Sequence, residues 1–323
     1  MEGTFRYERS RKEWMFHVKQ SDETSTPGFG TDTPLARELA DLTARRRSLE
    51  KVSVTFDGPT RVFTISNQKG GVGKTTTTVN IAASLASLGA KVLVIDLDPQ
   101  GNASTALGVP HTAETSSIYD VLINDVALSE IVQQSPESPN LFCAPSTIHL
   151  AGAEIELVSQ VAREHRLRTA LDEYLSEQHV DYVIIDCPPS LGLLTINAFT
   201  AATEVFIPIQ CEYYALEGLS QLLGSIRMIQ KHLNPKLHLS TILLTMFDGR
   251  TRLAHQVADE VREHFPQEVL STVIPRSVRV SEAPSFGQTV IAYDGQSAGA
   301  IAYREAAVEI AGRATSSAKK GKN

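Results

Sequence analysis

Cysteine is scarce in this chain: Cys143, Cys187 and Cys211 are the only three in 323 residues, far apart and without a CxxC pair. That scarcity argues against a disulfide framework or a zinc ribbon and suits a reducing cytoplasm. The nine histidines are scattered and show no metal-ligand spacing. No run approaches the roughly 18 apolar residues of a membrane span, and mean hydropathy is −0.10. The first twenty residues are charged and lack the apolar stretch of a secretion signal. An excess of positive charge is also missing. The formal net charge of −7 argues against an all-over basic nucleic-acid binder and leaves room only for a local basic patch. Apolar residues, by contrast, make up 42% of the chain, enough to bury a core without disulfides or a structural metal.

Composition changes near residue 59. Before it the chain is polar, and Ser21 to Pro34 has the Ser, Thr, Asp, Gly and Pro content of a linker. One short helix is expected there, capped by Thr33, begun by Pro34 and carrying Leu35, Leu39 and Leu42 on one face through Ala44. The run Arg45-Arg46-Arg47 follows it. From residue 60, strands alternate with helices. Strands are predicted at 61–65, 91–96, 141–144, 181–186, 204–209 and 239–246, and helices end at Ser87 and span about 164–177, 193–202, 215–232, 253–264 and 297–313. Nearly continuous Val/Ile strands of this kind predict an α/β fold, a doubly wound, mostly parallel sheet with helices on both faces. The expected organisation is a largely disordered extension over 1–58, one domain over 59–313 and a polar basic tail over 314–323.

The first strand runs into Gln68-Lys69-Gly70-Gly71-Val72-Gly73-Lys74-Thr75-Thr76. A glycine-rich turn between strand and helix lets backbone N–H groups wrap a phosphate at the helix N-terminus. Gly73-Lys74-Thr75 supply the second half of the GxxxxGK[ST] pattern, but Gln68 stands at its first glycine and a second lysine, Lys69, lies at the entrance. Lys74 is expected to reach the β- and γ-phosphates, Thr75 to ligate Mg²⁺ and Thr76 to serve the α-phosphate. Spacing alone leaves Lys69 open between a solvated lysine and one that reaches the nucleotide of a facing copy.

Three carboxylates end strands or begin the loops after them: Asp96 and Asp98 in VIDLDPQGN, and Asp186 in VIIDCPPS. Ligands in such sheets bind beyond the carboxyl ends of the strands. Asp186 is therefore expected to hold Mg²⁺ through a water, and Asp98 to orient the attacking water. Asp96 is expected to support the site from behind. Pro188-Pro189 stiffens the second loop and Gly192 gives it a hinge.

The segments KGGVGKTT, DLDPQGN, DCPPSLG, QCEYYALEGL and IPRSVRVSEAPSFG closely resemble the ParA/Soj-type chromosome-partition ATPases. This is a deviant Walker A group of P-loop NTPases, with MinD and the nitrogenase iron protein as cousins. The resemblance covers about residues 60–313. It implies an ATP- and Mg²⁺-dependent homodimer that binds double-stranded DNA non-specifically, with hydrolysis stimulated by a ParB-type protein. It implies a cytoplasmic, nucleoid-associated chain. By motif, Lys69 matches the lysine acting on the partner's nucleotide, Lys74 the phosphate-loop lysine and Asp98 the hydrolytic aspartate, with Gly70 at the close approach of the two copies. Arg250 and Arg279 match arginines on DNA phosphates, and Pro275 and Arg276 lie near the nucleotide base. Arg252 belongs to the same DGRTRL cluster as Arg250.

Cys187 follows Asp186, yet no second cysteine is placed to share a bridging iron–sulfur cluster as in the iron protein, so the three cysteines are read as core. After Arg313, ATSSAKKGKN has no apolar face for MinD-like membrane binding. A second role stays open, in which residues 1–58 dock a polar or scaffold protein. One codon choice for Met15–Gln20, ATG TTT CAC GTG AAA CAG, contains the palindrome TGTTTCACGTGAAACA. That palindrome resembles the centromere-like site of ParB partners.

Overall fold

Strands as apolar as those around Val94 and Ile184 need cover on both faces, and the intervening helices supply it. The computed structural model describes residues 33–212 and 215–320. The Met15–Gln20 segment, and Tyr213 and Tyr214 of the QCEYYALEGL motif, lie outside the described residues. Contacts divide the chain into Met1–Asp41 and Leu42–Asn323. In the first unit the described part is the opening of α1 (Pro34–Leu49), where Thr33 Oγ1 accepts from Ala36 N at 3.2 Å, the predicted cap. Helix α1 continues past the expected Ala44 end to Leu49.

The second unit runs β1 (Arg61–Ile65), α2 (Lys74–Ser87), β2 (Val92–Asp96), α3 (Asn102–Ala106), α4 (Ile118–Ile123) and α5 (Leu128–Ile131). Then come β3 (Gln133–Gln134), β4 (Leu141–Ala144), α6 (Leu150–Glu156), α7 (Arg166–Glu177), β5 (Tyr182–Asp186), α8 (Leu193–Ala201) and β6 (Glu204–Gln210). The chain continues with α9 (Ala215–His232), β7 (His238–Phe247), α10 (Arg252–His264) and β8 (Val269–Pro275). Last are α11 (Val278–Glu282), α12 (Val290–Tyr293) and α13 (Ala298–Lys320). Among the described residues the strands form one eight-stranded sheet, ordered β3-β4-β2-β5-β1-β6-β7-β8. It is parallel except where the two-residue β3 meets β4. The predicted final helix extends beyond Arg313 to Lys320, and β8 is a strand the apolar pattern alone had not marked.

Side chains alternate between two cores, as the pleat requires. Leu93, Ile95, Val183 and Ile185 join the cluster that includes Leu171, Leu222 and Val257 of α7, α9 and α10. Val92, Val94, Tyr182 and Ile184 join the one that includes Leu85 of α2 and Tyr303 of α13. The segment ahead of β1 packs on this second core: Val54 and Phe56 lie against it, and the Phe56 ring meets Tyr182 edge-on at 5.9 Å. Arg45 of α1 makes two hydrogen bonds to Glu305 of α13, at 2.9 and 2.6 Å.

Two polar devices tie the sheet to α13. Arg61 grips Glu204 with two bonds of 2.7 and 2.6 Å, donates to Ile310 O at 2.9 Å and lies over the Phe63 ring. At the β8 edge, Glu309 accepts from Ser271 N and Thr272 N while Arg313 donates to Glu268 O and Val269 O. The Arg61–Glu204 pair is nearly buried, with side chains 16% and 9% exposed. Removing one partner strands the other, so Glu204→Ala is expected to lower unfolding free energy by about 3 kcal/mol, measured by urea titration. A loss under about 1 kcal/mol would place this pair among ordinary surface ion pairs.

Candidate functional site

The central strand β1 ends at Ile65 beside Asp186 of β5, in register across the parallel pair. The turn that follows, residues 66–73, therefore wraps directly over the carboxyl ends of the strands. It needs glycine at two places: Gly71 and Gly73 have φ of 73° and 88°, in the left-handed region. Gly73 caps α2, and its carbonyl accepts from Thr77 N at 2.8 Å. The start of α2 thus presents backbone N–H groups to an anion. Asn67 pins the front of the turn, donating to Pro208 O at 2.8 Å while its Oδ1 accepts from Lys69 N. Thr245 pins the back, donating to Val72 O at 2.9 Å.

The predicted loop residues separate into inner and outer sets. Val72 and Lys74 are buried, Gly73, Thr75 and Thr76 are half-buried, and Lys69, Gly70 and Gly71 are exposed. Lys74 Nζ reaches back to Lys69 O at 3.4 Å. Burial lowers its pKa, and the charges of Asp186 and Asp98 act against that shift. Lys69 Nζ pairs with Glu212 at 2.6 Å, and Gln210 Nε2 donates to the other oxygen of the same carboxylate.

Asp186 is fully buried and accepts from Thr75 Oγ1 at 2.7 Å and Thr78 Oγ1 at 2.9 Å. Asp96 lies beside it in register and accepts from Ser104 N and Ser104 Oγ. Burial raises both carboxyl groups, and Asp96 pushes Asp186 up further. Asp98 is half-buried just beyond, with Oδ1 accepting from Gln100 N at 3.0 Å. The oxygen donors Thr75 and Asp186 suit Mg²⁺, a hard cation that takes few protein ligands and keeps water and phosphate oxygens. Among the described residues no cluster of three or more His, Cys, Asp or Glu side chains forms an all-protein metal cage. Cys143, Cys187 and Cys211 are buried free thiols, and burial pushes Cys187 up to about 12.

The arginine clusters gather on neighbouring loops at this end of the sheet. Arg250 and Arg252 follow β7, Arg276 and Arg279 follow β8, all four are exposed, and Arg276 N donates to Phe247 O. Asp248 grips Arg250 with two bonds of 2.9 Å, which hold its carboxyl down at about 2. Arg279 faces Glu282 and Asp294. Pro275 ends β8 next to this cluster. Sequence reasoning missed Thr78, Ser104, Glu212 and Asp248, the groups that hold its chosen residues in place. Only Thr78 carried a signal: its spacing from Lys74 puts it one helical turn behind the loop. Among the described residues, no helix is long and apolar enough to cross a membrane.

Residues 60–239 match the AAA domain family AAA_31. The chain is 54% identical over 251 residues to the sporulation initiation inhibitor protein Soj of Bacillus subtilis, covering 78% of this chain and 98% of that protein. It is 52% identical to the chromosome partitioning protein ParA of Myxococcus xanthus over 79% of this chain and 89% of that protein. Among solved structures, cobyrinic acid a,c-diamide synthase from Mycobacterium smegmatis with bound ADP and magnesium superposes with TM-score 0.66. That structure is 40% identical and covers 77% of this chain and 93% of its own. The cell division ATPase MinD of Pyrococcus furiosus gives TM-score 0.64 at 25% identity, over 78% and 98% of the two chains.

A carboxylate with a raised folded-state pKa holds its proton more tightly folded than unfolded, so stability falls as pH rises. For Asp186 the window opens at about 4, the unfolded carboxylate value, and extends upward because burial beside Asp96 raises the folded group. In magnesium-free buffer at pH 8, Asp186→Asn is expected to melt roughly 2–4 °C higher than the native chain and to lose part of that pH slope. A melting temperature at or below native would contradict this account of the buried pair.

Proposed function

The chain belongs to the ParA/Soj chromosome-partitioning ATPases, and from that membership we propose an ATP-driven cycle of dimerisation and DNA binding. The relatives' activities imply nucleotide hydrolysis. In the proposed cycle, two copies close over two ATP molecules, with Lys69 of each reaching the phosphates held by the other. The supporting observation is the division of the loop: Lys74 is buried and Thr75 donates to Asp186, while Lys69 stands exposed at the entrance. Its pair with Glu212 is a half-exposed surface pair, worth about 0–1 kcal/mol, so exchanging it for a phosphate costs little.

Within each site the backbone N–H groups of residues 70–76 and the Lys74 ammonium bind the phosphates. Thr75 and Asp186 would hold Mg²⁺, which would supply neutralisation of charge on the phosphate oxygens. Asp98 orients the attacking water. Pro275 and Arg276 flank the base. The exposed Arg250, Arg252 and Arg279 contact DNA phosphates, which carry no sequence information, so binding is non-specific and falls steeply with salt. A dimer doubles the number of contacts, which makes dimerisation the switch for DNA binding. A ParB-type protein then stimulates hydrolysis and release. This assigns the chain to the cytoplasm, on the nucleoid. A scaffold protein engaged through residues 1–58 would add to this role.

Lys74→Ala is expected to abolish ATP binding, measured by titration with a fluorescent ATP analogue. Asp98→Ala is expected to bind ATP and DNA and to sediment as a dimer while turnover falls about 10²–10⁴-fold. Normal turnover removes Asp98 from the mechanism, and a monomer with ATP bound at high protein concentration overturns the cycle. Arg250→Glu is expected to dimerise with ATP yet lose DNA, reducing the slope of log affinity against log salt by about one per lost contact. Unchanged DNA retention at moderate salt would remove Arg250 from the interface.

A further inference from the structure

At the end of β7 a bulky residue holds a backbone conformation that side chains disfavour. Met246 has a φ of 50°, in the left-handed region that few non-glycine residues adopt. Such residues persist where their surroundings over-determine them, and they concentrate at functional elements. The constraints on Met246 come from two directions. Upstream, Thr245 is 2% exposed and donates to Val72 O of the phosphate loop at 2.9 Å. The Met246 methyl lies against the same loop, where a Cβ placed on Gly73 would meet it at 3.8 Å.

Downstream, Phe247 O accepts from Arg276 N at 3.2 Å, and the Phe247 ring packs edge-on against His255. Asp248 O accepts from Thr251 N at 3.0 Å, and the Asp248 carboxylate holds Arg250. The β7–β8 register also shifts between Leu244 and Phe247. One twisted residue thus separates a segment bonded to the phosphate loop from a segment bonded to both arginine-bearing turns.

We propose that Met246 is a positioning residue that couples nucleotide at the phosphate loop to the order of the Asp248–Arg252 turn. Phosphates drawn in by the N–H groups of residues 71–74 shift the loop. The shift reaches Phe247 through the buried Thr245–Val72 hydrogen bond and the methyl that faces Gly73, across a residue held at positive φ. Glycine at 246 relaxes in φ and has no side chain against Gly73, so the two ends move independently. The inference rests on nucleotide binding at the loop and not on what the arginines contact, so it can fail without touching the DNA reading.

Hydrogen exchange of the full chain, with and without Mg-ADP at concentrations that saturate each variant, tests it. In the native chain ADP is expected to slow exchange across residues 247–253 at least about threefold. In Met246→Gly that ratio is expected to fall below about 1.5, and Met246→Leu to restore it. A merely structural role would speed exchange in both states and leave the ratio unchanged. An unchanged ratio in Met246→Gly overturns the proposal, as does no ADP effect in the native chain. Failure of Met246→Gly to bind ADP at all also overturns it, since Met246 would then be a binding residue. If the glycine variant does not fold, Met246→Asn serves in its place, because Asn tolerates positive φ without the methyl contact.

Discussion

Two hydroxyls on one helix, Thr75 and Thr78, donate to the two oxygens of Asp186, and this grip joins α2 to β5. The rest of the phosphate site is arranged around it. Because β5 pairs with both β1 and β2, a carboxylate fixed at its end fixes where the loop after β1 and the Asp96–Asp98 loop meet. The arrangement opposes stability, since two carboxyl groups sit side by side away from water with hydroxyls and backbone N–H groups for partners. Site geometry is retained here against the interest of the resting fold.

The phosphate loop, the three acidic strand ends and the parallel sheet could all be read from the sequence, because each is local. A glycine turn between an apolar strand and a helix has few alternatives, and Val/Ile runs spaced by helical periodicity force a covered sheet. Asp248 and Ser104 escaped reading although they lie near the residues they hold, but most of what was missed was distant in sequence. Glu212 meets Lys69 from the loop after β6, Glu309 reaches β8 from α13, and Asn80 bridges Thr76 O to Val290 N. Such pairs depend on which strands become neighbours, and periodicity carries no information on that. Strand β8 was missed for a related reason: Val269–Pro275 holds Ser271 and Thr272, polar residues whose N–H groups are met by Glu309.

The balance of charge has a similar logic. The chain is acidic overall, yet three exposed cations named above have acidic neighbours: Asp248 orients Arg250, Glu282 and Asp294 flank Arg279, and Glu212 holds Lys69. Pairing at the surface contributes little energy. It does restrict long side chains to one orientation, which reduces their conformational freedom.

Open sheets carry a hazard at their borders, where unpaired strand groups invite another chain to add on. Here one border is a two-residue strand, and the other is met by Glu309 and Arg313 reaching across from α13. With both flanks blunted in this way, neither border of the sheet offers a long open strand for another chain to extend.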